Sequence, residues 1–337
     1  MRRYIAPLLI YFWQSKTFLH VFLLPISFIF WFIISIRRIV LTTFAQKISI
    51  PVVVIGNITV GGNGKTPFVI ALTQFLQKKG LSVGIVSKGY GRKNPHQCFL
   101  INKPMPTDVI GDEVALIWQK TSAPLAVGPS RIQACDLLID MGCDVVLCDD
   151  GLQDYSLSRD IEIIMQSDHS EGNGLLLPIG PYREPKNRMA RAFQIIRQVK
   201  NNTMNNKAHQ MRYEIEHIKH LSSDTCFTLS NWSGSKNVTA ISAIANPDRF
   251  HSLLIDSGFN ISCYTLPDHD VITTEDLHVA GNNTIFITEK DAVKLSSIVD
   301  ADVWIISIKP TFSSPVCEPI LKRLLFLYPQ LESKIMQ

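Results

Sequence analysis

Hydrophobic positions follow two different patterns along this chain. Residues 17–36 are twenty consecutive positions without a charge, rich in Phe, Ile and Leu, about the length a helix needs to cross the roughly 30 Å hydrocarbon layer of a membrane. Arg2 and Arg3 precede the segment and Arg37 and Arg38 follow it, so basic residues are balanced across it and set no orientation. Pro25 in its middle predicts a kinked spanning helix or a re-entrant turn. No convincing small-x-small site follows, which sets the segment apart from a secretory signal.

From residue 50 onward short apolar runs alternate with helical patterns. Strands are predicted at 51–55, 81–86 and 144–148, with helices at 66–79 and 129–141. Such repeated βαβ units predict a parallel sheet with helices on both faces. Between residues 200 and 220 the chain is polar and basic, and is expected to be a connector or surface excursion. A second βα series follows, with strands at 238–244, 260–265, 284–287 and 303–308 and helices starting at Pro247 and Glu289. The resulting expectation is an α/β protein in four parts. Residues 1–45 form a membrane-associated hydrophobic helix, 46–205 a phosphate-loop core, 206–235 a connector, and 236–337 a smaller α/β domain that closes the cleft.

Composition sharpens this picture. Charged residues are 18% and hydrophobic residues 46% of the 337 positions, and the mean hydropathy is +0.14, which excludes a disordered chain and is oily for a soluble enzyme. The apolar amino-terminal segment is the main source. A net charge of +4 suits anionic lipid or phosphate but lacks the dense Lys/Arg clusters of a nucleic-acid binder. The seven cysteines include no Cys-x-x-Cys, so neither a disulfide framework nor a zinc site is signalled, and a reducing cytoplasm is implied.

The predicted strand at 51–55 runs into Gly56-Asn-Ile-Thr-Val-Gly-Gly-Asn-Gly-Lys-Thr66 and then a helix, the context a phosphate-binding loop requires. Gly61, Gly62 and Gly64 let backbone amides turn toward phosphate oxygens. Lys65 reaches the β- and γ-phosphates, and the Thr66 hydroxyl binds Mg²⁺. Thr59 replaces the first glycine of the usual pattern. The strand ending in Asp149-Asp150 delivers two acids at its carboxyl end, where open α/β sheets place ligands and where such enzymes carry a second Mg²⁺ arm. Asp112 and Glu113 open a helix, where acids also simply complement its dipole. Arg183 sits on a proline-rich loop, either as a surface residue or as a cation for transferring phosphate. His269 lies between Asp268 and Asp270, a setting that more often makes a histidine structural than functional.

In their order these segments resemble the tetraacyldisaccharide 4′-kinase (lipid A 4′-kinase) family. The matching stretches are the phosphate loop through Pro67, Ser87-Lys-Gly-Tyr-Gly91, Gly111-Asp-Glu113, Asp149-Asp-Gly-Leu-Gln153, Leu177-Pro-Ile-Gly-Pro-Tyr-Arg-Glu-Pro185, Ala245-Asn-Pro-Asp-Arg-Phe250, Asp268-His269 and Thr288-Glu-Lys-Asp-Ala-Val-Lys-Leu295. The resemblance implies an ATP-dependent kinase acting on the 4′-hydroxyl of a tetraacyl glucosamine disaccharide 1-phosphate, at the cytoplasmic face of the inner membrane. It implies ATP phosphates at Thr59, Val60, Gly61, Gly62, Asn63, Gly64, Lys65 and Thr66, and Mg²⁺ at Thr66, Glu113 and Asp149. Asp112 becomes the base, with His269 completing a dyad. Lys65 and Arg183 stabilise the transferring phosphoryl group, and Asp150 supports the metal site.

The partners expected are the lipid disaccharide and the inner membrane, with no nucleic acid and no obligate protein partner. The chain departs from the family pattern at Lys88, usually arginine, at Asp154 and Asp270, usually histidines, at Val114, usually proline, and at Ile244 and Ala245, where glycine is usual. A second reading is a membrane-tethered, nucleotide-hydrolysing switch acting on a protein partner. It is disfavoured by the absence of Asn-Lys-x-Asp and by Asp268-His269.

Overall fold

Apolar runs of about five residues become strands buried on both faces, and segments with apolar residues three and four apart become the helices that cover them. The computed structural model describes residues 11–15, 17–167, 170–199, 209–281, 283–295 and 301–335. The first half holds α1 (Leu19–Thr43), β1 (Val52–Gly56), α2 (Lys65–Lys78), β2 (Val83–Ser87), β3 (Phe99–Ile101), α3 (Thr107–Ile110) and α4 (Asp112–Thr121). It continues with β4 (Leu125–Val127), α5 (Arg131–Asp140), β5 (Val145–Asp149), β6 (Ile161–Ser167) and β7 (Gln194–Gln198). In the second half come β8 (Gln210–His220), β9 (Cys226–Phe227), β10 (Asn237–Ser242), α6 (Pro247–Asp256), β11 (Asn260–Thr265) and α7 (Thr274–His278). They are followed by β12 (Thr284–Thr288), α8 (Glu289–Ala292), β13 (Val303–Phe312) and α9 (Cys317–Leu327).

All these strands join one sheet in the order β11-β10-β12-β13-β8-β7-β6-β1-β5-β2-β4-β3, with β9 beside β8. The neighbours of β1 are β5 and β6, both parallel. In β1, Val53 and Ile55 face a core built with Phe68, Leu72 and Leu76 of α2, while Val52 and Val54 face one built with Ala134, Cys135 and Leu138 of α5. Helices on both faces account for a strand with no polar side. The register pairs Ile55 with Asp149. The loop leaving β1 and the acids ending β5 therefore emerge side by side.

The stretch 210–220, expected as part of a connector, is instead the long strand β8. It pairs parallel to β7 through Arg197 and Gln210, and antiparallel to β13 from Met211 opposite Phe312 to His220 opposite Trp304. Its apolar residues Met211, Tyr213 and Ile215 do alternate and are buried. The intervening Arg212, Glu214 and Glu216 hide that period in a residue-by-residue reading of polarity. Through β8 the two βα series share one hydrogen-bonded sheet.

Helix α1 continues through Pro25. Its stretch His20–Thr43 is long and apolar enough to cross a membrane, and only 6% of its most apolar window is buried against the protein. Phe22, Phe28, Phe32 and Ile39 point outward. Among the described residues two polar contacts fasten it to the body: Ser27 Oγ donates to the Leu176 carbonyl at 3.1 Å, and Arg37 donates to the Gln153 carbonyl at 3.1 Å.

Candidate active site

The loop between β1 and α2 is held from several sides. Val60 N donates to the Pro181 carbonyl and Arg183 N to the Ile58 carbonyl, at 2.8 and 2.7 Å. Asn57 Nδ2 donates to the Gly61 carbonyl at 3.1 Å, and Arg249 of α6 donates to the Gly62 carbonyl at 3.2 Å and to Ser167 Oγ at 3.0 Å. Gly64, at φ +77°, is the residue before α2, and a Cβ there would lie 2.5 Å from the Tyr213 hydroxyl. Only glycine satisfies both the backbone angle and the space. The amino terminus of the 14-residue α2 thereby opens toward the cleft as an anion seat.

Lys65 Nζ sits 3.3 Å from Asn57 Oδ1 and 3.4 Å from Asp150 Oδ1. Arg183 approaches Asp150 Oδ2 at 3.8 Å. Burial opposes ionisation of Asp150, but Lys65, Arg183 and Arg131 outweigh it and hold the carboxyl below its usual range. Asp150 also adopts φ +46°, a strained backbone for a non-glycine residue. The turn is braced by Arg131, fully buried at the start of α5, which donates to the carbonyls of Asp149 and Asp150 at 2.8 Å each. Arg131 Nε in turn lies 3.3 Å from Asp154 Oδ2. The acid that replaces the family's histidine is thus a structural counter-ion, and Lys88 also helps keep it ionised.

On the far side of the cleft, Asp112 is the first residue of α4. Its Oδ1 accepts from Glu113 N at 2.9 Å, and its Oδ2 lies 3.0 Å from His269 Nδ1. Burial opposes its ionisation, yet the His269 hydrogen bond and the charges of Lys290, His269 and Lys294 prevail and lower its pKa. The hydrogen bond to Asp112 raises the pKa of His269 against burial and the charge of Lys290. His269 has φ +70°, and its amide donates to the Ala243 carbonyl. His269 lines the cavity, and Asp112, 7% exposed, is joined to it by the Oδ2–Nδ1 hydrogen bond.

Gly111 orients this pair. Its φ of +91° and ψ of +147° belong to a region that is essentially glycine-only, and a Cβ there would lie 2.6 Å from the Tyr90 carbonyl oxygen. Gly111→Ala is expected to lower the melting temperature by several degrees and kcat by about tenfold, because clash and strain of roughly 1–3 kcal/mol displace Asp112. A thermal melt run beside a turnover assay checks both.

Three further residues of the sequence motifs support the site. Lys290 Nζ lies 3.4 Å from Glu113 Oε1, 3.4 Å from Asp268 Oδ1 and 3.8 Å from Asp112 Oδ2, so it ties the second βα series to α4. Asp291 is fully buried, accepting from Ala243 N and Thr288 Oγ1. Arg249 clamps the phosphate loop as described. Their signal was the motif itself; no local pattern announces a partner 177 residues away, as Glu113 is for Lys290.

A cavity of about 760 Å³ gathers the set: the loop from Val60 to Thr66, Glu113, Asp149, Asp150, Arg183 and His269 all line it. Thr59 does not. It is buried behind the loop, where its Oγ1 accepts from Asn63 Nδ2 at 3.0 Å. Asp270 offers its backbone carbonyl to Lys294 Nζ at 2.8 Å.

The residues named for Mg²⁺ fit a hard cation. Asp149 Oδ1 is buried without a hydrogen-bond partner. Burial, together with the charges of Glu113 and Asp150, pushes the Asp149 carboxyl up to about 7. Lys65 and Arg131 oppose this rise without cancelling it. Among the described residues no group of three or more His, Cys, Asp or Glu side chains is arranged for a metal. One or two carboxylates with substrate phosphates are the usual Mg²⁺ arrangement.

A phosphate loop on the central strand, paired acids on its neighbour and a carboxylate–histidine pair across the cleft define a phosphotransferase of the phosphate-loop class. The family model described as Tetraacyldisaccharide-1-P 4′-kinase matches residues 19–325, and the chain belongs to that family. A tetraacyldisaccharide 4′-kinase of Methylobacillus flagellatus is 36% identical over 318 residues, covering 93% of this chain and 94% of the relative. That of Actinobacillus succinogenes is 38% identical over 304 residues, covering 88% and 92%. The crystal structure of LpxK from Aquifex aeolicus in complex with ATP shares the fold, with a TM-score of 0.72, 24% identity and coverage of 92% and 99%.

Proposed function

We propose that this protein transfers the γ-phosphate of ATP to the 4′-hydroxyl of a tetraacyl glucosamine disaccharide 1-phosphate, a late step of lipid A biosynthesis. One observation carries the reading: the 3.0 Å Asp112–His269 pair stands at the same cavity as the phosphate loop. The acceptor hydroxyl loses its proton to this pair, with Asp112 as the base and His269 aligning it. The new oxygen–phosphorus bond forms as the bond from the γ-phosphorus to the β–γ bridging oxygen breaks, and ADP leaves. Lys65, Arg183 and the amides of the loop stabilise charge on the phosphoryl oxygens. Thr66, Glu113 and Asp149 would hold Mg²⁺, which would neutralise phosphate charge, and Asp150 steadies Lys65 and Arg183 beside them.

The membrane assignment rests on α1. Transfer of one large apolar side chain from water is worth about 1.5–3 kcal/mol, and α1 exposes Phe22, Phe28, Phe32, Ile33 and Ile39 together. An apolar surface of this kind belongs against lipid. We place α1 in the inner membrane with the cleft on the cytoplasmic side, where an acylated acceptor is within reach. Residues 46–205 and 236–337 supply two sides of the cavity, β8 joins them in one sheet and adds Tyr213 and Glu216 to the lining, and 1–45 carries the membrane segment.

The test is purified protein in detergent with γ-labelled ATP, Mg²⁺ and the acyl disaccharide 1-phosphate. A labelled bisphosphorylated lipid is expected. Hydrolysis of ATP that ignores the lipid and responds to a protein partner points to the tethered switch instead.

The dyad also sets a pH dependence of stability. Because the pKa of His269 is raised above 6.5, its stabilising contribution is fully present below pH 6.5 and is lost as pH rises through the folded value. The melting-temperature difference between the native protein and His269→Gln is therefore expected to be larger at pH 6 than at pH 9. An equal difference at both contradicts a charged pair.

A further inference from the structure

We propose that Tyr90 is the platform on which the acceptor glucosamine ring stacks, an inference that rests on the kinase reading above. Three aromatic residues other than histidine line the cavity among the described residues: Tyr90, Tyr213 and Phe250. Tyr213 and Phe250 are buried at 9% and 6% exposure, whereas Tyr90 is 65% exposed. The ring that faces open space is therefore the one beside the proton-accepting pair. Its centroid lies 5.2 Å from the His269 ring, tilted by 47°, so contact with His269 leaves much of the ring uncovered.

The backbone displays this side chain. Gly89 and Gly91, at φ +61° and +83°, turn the chain sharply on either side of it. Arg92 N donates to the Gly89 carbonyl, Lys93 N donates to the Asp108 carbonyl, and the Tyr90 carbonyl abuts Gly111. Arg92, 6% exposed, packs behind the turn with its guanidinium 5.6 Å from the Phe99 ring centroid. An aromatic ring on a turn braced from behind meets a ligand at low ordering cost. The ring face carries negative charge, which attracts the electron-poor C–H groups on one face of a pyranose. Stacking there brings the sugar hydroxyls next to His269 and Asp112. The same cavity also has apolar lining at Pro67 and Ile70 of α2 and at Ile306 and Ile308 of β13, so a purine need not take the Tyr90 ring.

The experiment compares the full-length native protein with Tyr90→Ala and Tyr90→Phe in two measurements. In steady-state kinetics, Tyr90→Ala is expected to raise the acceptor KM about tenfold, with the ATP KM within about twofold and Tyr90→Phe close to native. The second measurement is saturation-transfer NMR with the deacylated glucosamine disaccharide 1-phosphate, which needs no turnover. Saturation of the sugar C–H protons is expected with the native protein and with Tyr90→Phe, and its loss with Tyr90→Ala. An unmoved acceptor KM, a rise confined to the ATP KM, a fall in kcat alone, or a Tyr90→Phe as weak as Tyr90→Ala overturns the platform. So does absent saturation in the native protein. Native protein that saturates the sugar yet phosphorylates no lipid keeps the platform and removes the kinase reading.

Discussion

Asp112→Asn is expected to lower kcat by about 10²–10⁴-fold while the Kd for ATP stays within a few-fold of native. Asparagine keeps the shape of the side chain and an oxygen for Glu113 N, so the opening of α4 survives. It removes the negative charge that His269, Lys290 and Lys294 converge upon. The acceptor hydroxyl then has no carboxylate to take its proton, and three cationic groups face one another without their common counter-ion. The ATP side of the cavity is built from other residues, so nucleotide binding is a fair control. Pre-steady-state turnover alongside nucleotide binding separates the two effects. A variant with near-native kcat removes Asp112 from the proton step, and a parallel loss of ATP binding makes its role structural. His269→Gln distinguishes the members of the pair. As the aligning partner, His269 should cost less than Asp112 when replaced, and a larger loss at His269 assigns the proton to the imidazole.

Arg183→Ala is expected to lower kcat by about a thousandfold, in the range of arginines that neutralise transferring phosphate. Arg183 bridges two loops: its amide donates to the Ile58 carbonyl in the loop after β1, and its guanidinium approaches Gln153 Oε1 at 3.5 Å and Asp150 Oδ2 at 3.8 Å in the turn after β5. These side-chain contacts are long, so the guanidinium is poised rather than saturated, free to turn onto an incoming phosphate. Asp150 also contacts Lys65, so one carboxylate aims two cations. Arg183→Lys is expected to recover only part of the loss, because an ammonium restores the charge without the planar fork. A kcat within threefold of native for Arg183→Ala returns this residue to the surface loop it superficially resembles. Measuring kcat at saturating concentrations of both substrates keeps binding effects out of the comparison.

Much of the fold was legible because burial on both faces leaves an uninterrupted apolar mark. The strands from 51 to 55 and from 144 to 148 are found as β1 and β5 within a residue or two, and the turn chemistry of the phosphate loop announced itself through its glycines. β8 was not legible. Its buried residues alternate with Arg212, Glu214 and Glu216, and its register is set by β13, almost a hundred residues later. The site followed the same logic. Acids at strand and helix ends are visible locally, whereas Lys290, Arg131 and Arg249 acquire their meaning only from partners brought close by folding. Asp154 reads as a suspicious replacement in sequence, and pairing with buried Arg131 makes it an ordinary structural acid.

The two fastenings of α1 bear on how this helix is aimed. Ser27 and Arg37 are ten residues apart, about 15 Å along a helix, and both grip the flank of the catalytic body. A helix moored at two points this far apart takes its direction from the body, so it can neither swing about one bond nor slide along its own axis without breaking the other. Through Gln153, whose side chain faces Arg183, the Arg37 mooring also reaches the phosphate-loop side of the cleft.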